Sequence, residues 1–362
     1  MNDKTVLVIG TGTIGEPLIG LLTRLKNDLG INRIIFHKRT PLDYEIAKVN
    51  SLVSQGADLA VDKEKRAQFE ELGHRPSWTF NEALHESDVI IDCTPAGNDH
   101  KNKYYLDLDA EEFKHRVFIA QGSEKGFGVP YAYGINDKVL RKLDSQRFIQ
   151  VVSCNTHAIG RIVKSLNPAL DENFISGDFV CVRRANDASQ DTGFTPSPTC
   201  GVHSDPKYGT HHARDVSDLL STVTGQPMNL TSSAMKVNTQ YMHTIRFSVV
   251  LRESLTLHDA VERFKKDQFV TLTRHKTANR VFSFGRDHGF YGRIYNQAVV
   301  CLPSVAVFPR SAHKGTVVTG FAFTPQDGNS LLSSVAACLY GLHHADYVDY
   351  LSPILGFLQD EI

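Results

Sequence analysis

Residues 151 to 166, VVSCNTHAIGRIVKSL, hold the cysteine whose setting invites chemistry. Val151 and Val152 favour a buried strand, Ser153 and Asn155 favour a helix start, and Ile159, Ile162, Val163 and Leu166 recur at helical spacing. Cys154 is therefore expected at the first turn of a helix. Free backbone N–H groups and the positive end of the helix dipole at that place favour thiolate over thiol. The alternative is a small apolar residue closing a strand, the common fate of a lone cysteine. The stretch by itself leaves both open.

A second stretch concerns a phosphate-bearing ligand. Residues 5 to 15, TVLVIGTGTIG, are an apolar strand running into Gly10, Gly12 and Gly15, with Thr13 and Ile14 inside the turn and a helical pattern from Glu16 to Leu29. Strand, glycine turn and helix together are the dinucleotide fingerprint in its required context. The glycines allow a tight turn, close approach of a pyrophosphate and close helix packing, while the helix N-terminus attracts phosphate charge. A glycine turn without a ligand is the competing reading.

The next strand is expected within NRIIFHKRTP, residues 32 to 41. An NAD site usually has an acid near the end of this strand to hold the ribose 2′-hydroxyl, and here His37, Lys38 and Arg39 stand instead. Lys38 and Arg39 thus favour a 2′-phosphate and NADP, with NAD still possible; a solvated basic turn is the alternative. SDVIIDCTPAG (87 to 97) and RVFIAQGSEKG (116 to 126) read as further buried strands. Ligands of open parallel sheets lie beyond the carboxyl ends of the strands, which places Thr94, Pro95, Gly97, Gln121 and Gly122 at a cofactor crevice.

These elements need a frame, and 362 residues suffice for two domains with sizeable cores. The net charge of −1 gives no overall attraction to nucleic acid or anionic lipid, so anions must be held locally. The N-terminus shows no signal-peptide pattern and no run reaches membrane-spanning length, so a cytoplasmic location is expected. Six scattered cysteines without paired CxxC motifs point to free thiols.

After Cys154 the texture changes. DFVCVRRAND (178 to 187) alternates and carries Arg183 and Arg184; THHARDVSDLL (210 to 220) starts a helix with His211 and His212; AMKVNTQYMHTIRFSVVL (234 to 251) reads as strands around His243. The expected fold is α/β: a Rossmann doubly wound parallel sheet with an inserted α+β catalytic domain of antiparallel character. The cofactor domain is expected over 1–153 plus about 328–362, the catalytic domain over 154–327. Cys200, His203, His211 and His212 fit no common structural-zinc spacing, so no metal is expected. His343 and His344 are read as capping the last helix.

In order and spacing, DCTPAG followed by KNK, then QGSEK, VVSCNT, VRRAND, THHARDV and YMH resemble the blocks of the archaeal-type (type II) glyceraldehyde-3-phosphate dehydrogenases. The resemblance implies a phosphorylating oxidation in glycolysis or gluconeogenesis, with a phosphorylated aldehyde, inorganic phosphate and NAD or NADP as partners, in a homotetramer. It implies Cys154 as nucleophile and His243 as base, with Ser153, Asn155, Thr156, Arg183, Arg184, His211 and His212 at the substrate and phosphate sites. The cysteine motif departs from the family's TTGLCR as THAIGR, placing His157 near the nucleophile, and TPSPTCGVHSDPKYG replaces the stretch before the histidine pair. Those departures keep two alternatives in view: a related NADP-dependent semialdehyde dehydrogenase, or a non-catalytic NADP-binding regulatory protein.

Overall fold

The run TVLVI, Thr5–Ile9, is buried along its whole length, as the centre of a parallel sheet requires, and forms β1. Around it lie β2 (Arg33–His37), β3 (Asp58–Val61), β4 (Trp78–Thr79), β5 (Val89–Asp92), β6 (Val117–Gln121), β7 (Val129–Tyr131) and β8 (Phe148–Val151), in the order β4-β3-β2-β1-β5-β6-β8-β7. Every neighbouring pair is parallel. This is the Rossmann-type sheet expected from the sequence. The computed structural model describes residues 4–107, 116–187, 193–239, 241–310 and 314–362.

Helices α1 (Gly15–Leu25), α2 (Ile46–Ser54), α3 (Arg66–Glu71), α4 (Phe80–Glu86) and α5 (Gly97–His100) follow the early strands. The first compact unit comprises Met1–Tyr131, Lys138–Val151 and Leu331–Gly356. Its last segment contributes α10 (Leu331–His343), which packs on β5, β6 and β8 and buries all of Leu331–Leu342, and α11 (Ser352–Leu355). A helix apolar all round belongs inside a core. His343 does not cap that helix as expected: its ring stacks on Tyr350 at 3.7 Å, and Nε2 lies 2.9 Å from the Leu29 carbonyl, so it ties the helix end to the loop after α1.

The second unit comprises Ala132–Asp137, Val152–Ser330 and Phe357–Ile362. It contains α6 (Cys154–Leu166), β9 (Phe174–Arg183), β10 (Thr199–Cys200), α7 (His211–Thr224), β11 (Leu230–Lys236), β12 (His243–Leu251), α8 (Leu257–Lys266), β13 (Val270–Thr273), α9 (Ala278–His288), β14 (Ala298–Pro309) and β15 (Thr316–Thr324). The sheet order is β10-β11-β9-β12-β15-β14-β13. The expectation of an antiparallel sheet is corrected to a mixed one, because β11 runs parallel to β9 and β13 parallel to β14. The physical reason is connection length: α7 lies between β9 and β11 and α9 between β13 and β14, and a helical crossover returns the chain in the same direction. Along β12 buried and half-buried residues alternate, so one face meets the core formed with α6, α7 and α8. Among the described residues no helix is long and apolar enough to cross a membrane.

Candidate functional site

In the first unit the glycine turn has the geometry its sequence implies. Gly10 sits at φ +93°, a conformation that costs glycine little, and its N–H donates to the His37 carbonyl at 3.2 Å, locking the turn to the end of β2. A Cβ at Gly15 would lie 2.0 Å from the Gly10 carbonyl oxygen, so no side chain fits where α1 begins. A Cβ at Gly12 would meet nothing within 4 Å. The turn thus has one glycine for conformation, one for packing and one facing open space, which is the cradle a pyrophosphate needs. Thr13 and Ile14 are half-buried in the same turn.

The neighbouring strand ends are ordered by side chains. Asp92, fully buried at the end of β5, accepts from Thr94 N–H (3.0 Å), Thr94 Oγ1 (2.7 Å) and Tyr105 Oη (2.7 Å), and lies 2.7 Å from His100 Nδ1. Burial pushes this carboxyl up, yet the hydrogen bonds and charge of its partners hold it below the ordinary range. Pro95 is exposed in that loop, and Gly97 is packed so that a Cβ would lie 3.3 Å from Ala120. Gly122, at φ +82°, follows β6. Gln121 is buried; its Oε1 accepts from Ser334, while its Nε2 has no partner. Arg39 is exposed, and Lys38 is buried in an ion pair with Glu45. Glu45 thus brings an acid beside the end of β2, and its signal in sequence was only its place ahead of an amphipathic helix.

In the second unit Ser153 caps α6, its Oγ accepting from Thr156 N–H at 3.4 Å and lying 2.9 Å from Thr156 Oγ1. Cys154 is the first helical residue, as its sequence implied. Its expected thiolate is corrected. Burial raises the thiol to about 11, with Asp187 and Asp327 adding to the rise, and Arg184 and the Asn155 N–H only partly offset it.

His243 opens β12, with Thr244 opposite Val182, so it stands beside the end of β9. Its ring is buried, with Nδ1 3.1 Å from Asn155 Oδ1, and the backbone N–H of His243 donates to Gln326 Oε1 at 3.1 Å. Burial, then the charges of Arg184 and Arg183, push this imidazole well below its ordinary range. Cys154 and His243 are thus both neutral at pH 7. With Nδ1 protonated and donating to Asn155, Nε2 keeps its lone pair.

The two arginines diverge, as adjacent strand positions do. Arg183 is exposed. Arg184 is buried and donates to Asp187 (3.0 Å), Asp327 (3.0 Å) and the Tyr241 carbonyl (3.2 Å), with only Nε unpartnered. His211 and His212 open α7 with their ring centroids 4.0 Å apart and the rings tilted by 45°. The first turn is held by Ser232, whose Oγ accepts from Ala213 N–H at 3.0 Å and lies 2.7 Å from Thr210 Oγ1. His212 is buried with both ring nitrogens unpartnered, and burial together with His211 and Arg183 drives it down to about 3.

Three contributors escaped the sequence reading: Gln326, Asp327 and Asn329, the last donating to the Cys154 carbonyl at 2.9 Å. Their only signal was a polar cluster, TPQDGN, between a strand and an apolar helix. His157, the departure near the nucleophile, packs inside the unit. Fully buried, it turns back so that Nδ1 lies 3.1 Å from the Ser153 carbonyl, and burial lowers it to about 4.

A Rossmann-type α/β unit together with a unit built on a mixed sheet, the latter carrying a helix-first cysteine, is the class that this fold and these residues define. The chain is similar to the glyceraldehyde-3-phosphate dehydrogenase of Pyrococcus abyssi, with 26% identity over 298 residues and 81% of each chain covered. It is likewise similar to glyceraldehyde-3-phosphate dehydrogenase 1 of Methanosarcina barkeri, 27% over 295 residues and 79% of each chain. The glyceraldehyde-3-phosphate dehydrogenase of Methanobacterium bryantii is 28% identical over 281 residues, 75% of this chain and 74% of its own. No family model matches the chain.

Proposed function

We propose that the chain is a phosphorylating, NAD(P)-dependent aldehyde dehydrogenase that converts glyceraldehyde 3-phosphate and phosphate to 1,3-bisphosphoglycerate. The observation that carries this reading is the pairing, in one unit, of a helix-first cysteine with a buried histidine kept neutral and oriented by Asn155. The names of the relatives support it.

A neutral thiol and a neutral imidazole suit general-base activation. His243 Nε2 takes the thiol proton as sulfur attacks the aldehyde carbon; the C–S bond forms and the carbonyl π pair moves to oxygen. N–H groups of the first turn of α6 stabilise that oxyanion. The nicotinamide supplies the hydride acceptor when bound. Loss of hydride oxidises the carbon to a thioester on Cys154. A phosphate oxygen then attacks this carbon, the C–S bond breaks, the acyl phosphate leaves, and the thiolate recovers its proton from His243.

Arg183, His211 and His212 are the groups for phosphate: His212 is buried with two unused ring nitrogens, beside an exposed guanidinium. Arg184, neutralised by two aspartates, acts through its field on Cys154 and His243 and through its unpartnered Nε. Ser153 and Thr156 shape the turn that presents the sulfur. Gly10, Gly12, Thr13, Ile14, Gly15, Lys38, Arg39, Thr94, Pro95, Gly97, Gln121 and Gly122 are proposed to hold the cofactor. A homotetramer and the domain division given above complete the proposal.

The test is purified protein with NAD or NADP, phosphate and glyceraldehyde 3-phosphate, followed by absorbance of the reduced cofactor. Phosphate-dependent turnover that Cys154→Ser abolishes is the expected result. Turnover only with other aldehydes would overturn the substrate, and unimpaired Cys154→Ser would overturn the nucleophile. Sedimentation at a mass other than four chains would overturn the tetramer.

A further inference from the structure

Lys38, Glu45 and Lys48 form one linked cluster beside the glycine turn. Both carboxylate oxygens of Glu45 are engaged, Oε2 by Lys38 and Oε1 by Lys48 at 2.7 Å. Lys48 Nζ also lies 3.4 Å from the Thr11 carbonyl and 3.5 Å from Glu16, so the cluster is tied to the turn and to α1. The Gly10 N–H bond to His37 fixes the same turn to the end of β2. All three side chains are largely buried, which makes their charges felt more strongly than on an open surface. The end of the second strand is where a Rossmann site meets the 2′ position of the adenosine ribose.

We propose that Glu45 sets dinucleotide selectivity: its carboxylate accepts the 2′-hydroxyl of NAD, while Lys38 and Lys48 receive the 2′-phosphate of NADP, so one site serves both cofactors. The inference rests on the dinucleotide-binding reading above. It assigns the part of the acid to a residue eight positions beyond His37 and adds Lys48 to the phosphate-binding set. The carboxylate orders the two amines in advance and at the same time opposes the incoming phosphate, so it restrains NADP affinity. When a phosphate is present the lysines share it with Glu45.

The test is fluorescence titration of the full chain with NADPH and with NADH, without aldehyde, at low and moderate salt. Glu45→Gln is expected to tighten NADPH about tenfold and to weaken NADH severalfold, since repulsion is removed and a hydroxyl acceptor weakened. Lys48→Met is expected to weaken NADPH about tenfold and flatten its salt dependence, with NADH changed by less than threefold. Equal shifts for both cofactors in Lys48→Met would overturn the proposal, and this variant, at the rim of the cluster, serves even where Glu45→Gln destabilises the fold. A wild-type chain that binds neither nucleotide would instead overturn the dinucleotide reading on which the proposal stands.

Discussion

In the proposed mechanism two neutral groups, Cys154 and His243, make a nucleophile on demand. A thiol held near 11 by burial has a thiolate fraction that rises about tenfold per pH unit across the neutral range. Alkylation of Cys154 by iodoacetamide in the free protein is therefore expected to climb steadily from pH 7 to 10. A plateau reached near pH 6 would reveal a resident thiolate–imidazolium pair instead. The Asn155 side chain is a positioning group in this scheme, since it touches the base, while only the backbone N–H of the same residue reaches the sulfur. Asn155→Ala is expected to lower kcat by about 10- to 100-fold with KM nearly unchanged, and to alter the acid limb of the pH profile, whereas His243→Ala should cost about 10²- to 10⁴-fold. An Asn155→Ala enzyme with an unmoved profile would assign the residue to packing alone.

Elements explain which parts of this arrangement could be read from sequence. β1, β5 and β6 are mainly apolar runs followed by glycine-bearing turns, and α6 announces itself by its capping serine and its period. The two-residue strands β4 and β10 carry no such pattern. The candidate site was legible where chemistry is local, as in Ser153–Cys154, and illegible where it depends on partners far along the chain. Asp327 is 143 positions from Arg184 and Asn329 is 175 from Cys154, and no spacing rule connects them. The thiolate expectation failed for a related reason: the helix terminus is a local feature, but the burial that outweighs it is supplied by the whole unit. At this scale the glycine turn separates binding from folding. Gly12→Ala is expected to keep the thermal midpoint within about 2 °C and to weaken NADPH at least tenfold, since its Cβ enters only open space. Gly15→Ala, 2.0 Å from a backbone oxygen, should lower the midpoint itself. If both variants behave alike in differential scanning fluorimetry and titration, the division of labour among the glycines is wrong.

For the whole molecule, three buried neutral imidazoles, His157, His212 and His243, make the second unit sensitive to acid. Their folded pKa values lie below the unfolded value near 6.5, so the unfolded chain takes up protons that the folded one refuses. The associated stability is present above pH 6.5 and is lost as pH falls toward about 4 for His157 and about 3 for His212. Each such histidine contributes a slope of up to about 1.4 kcal/mol per pH unit over its window. Urea midpoints measured from pH 7 to 4 should fall accordingly, and His157→Gln should shallow the fall; an unchanged slope in that variant would show that His157 titrates normally. The placement of α10 carries a different consequence, in the timing of synthesis. Its apolar surface covers β5, β6 and β8, yet it is made about 180 residues after the last of those strands. At roughly 5–20 residues per second the ribosome needs roughly 9–36 s to bridge that gap, during which β5, β6 and β8 wait without the helix that covers them. Nascent chains halted before Leu331 should then bind bis-ANS and recruit holdase chaperones, and chains extended beyond His343 should not.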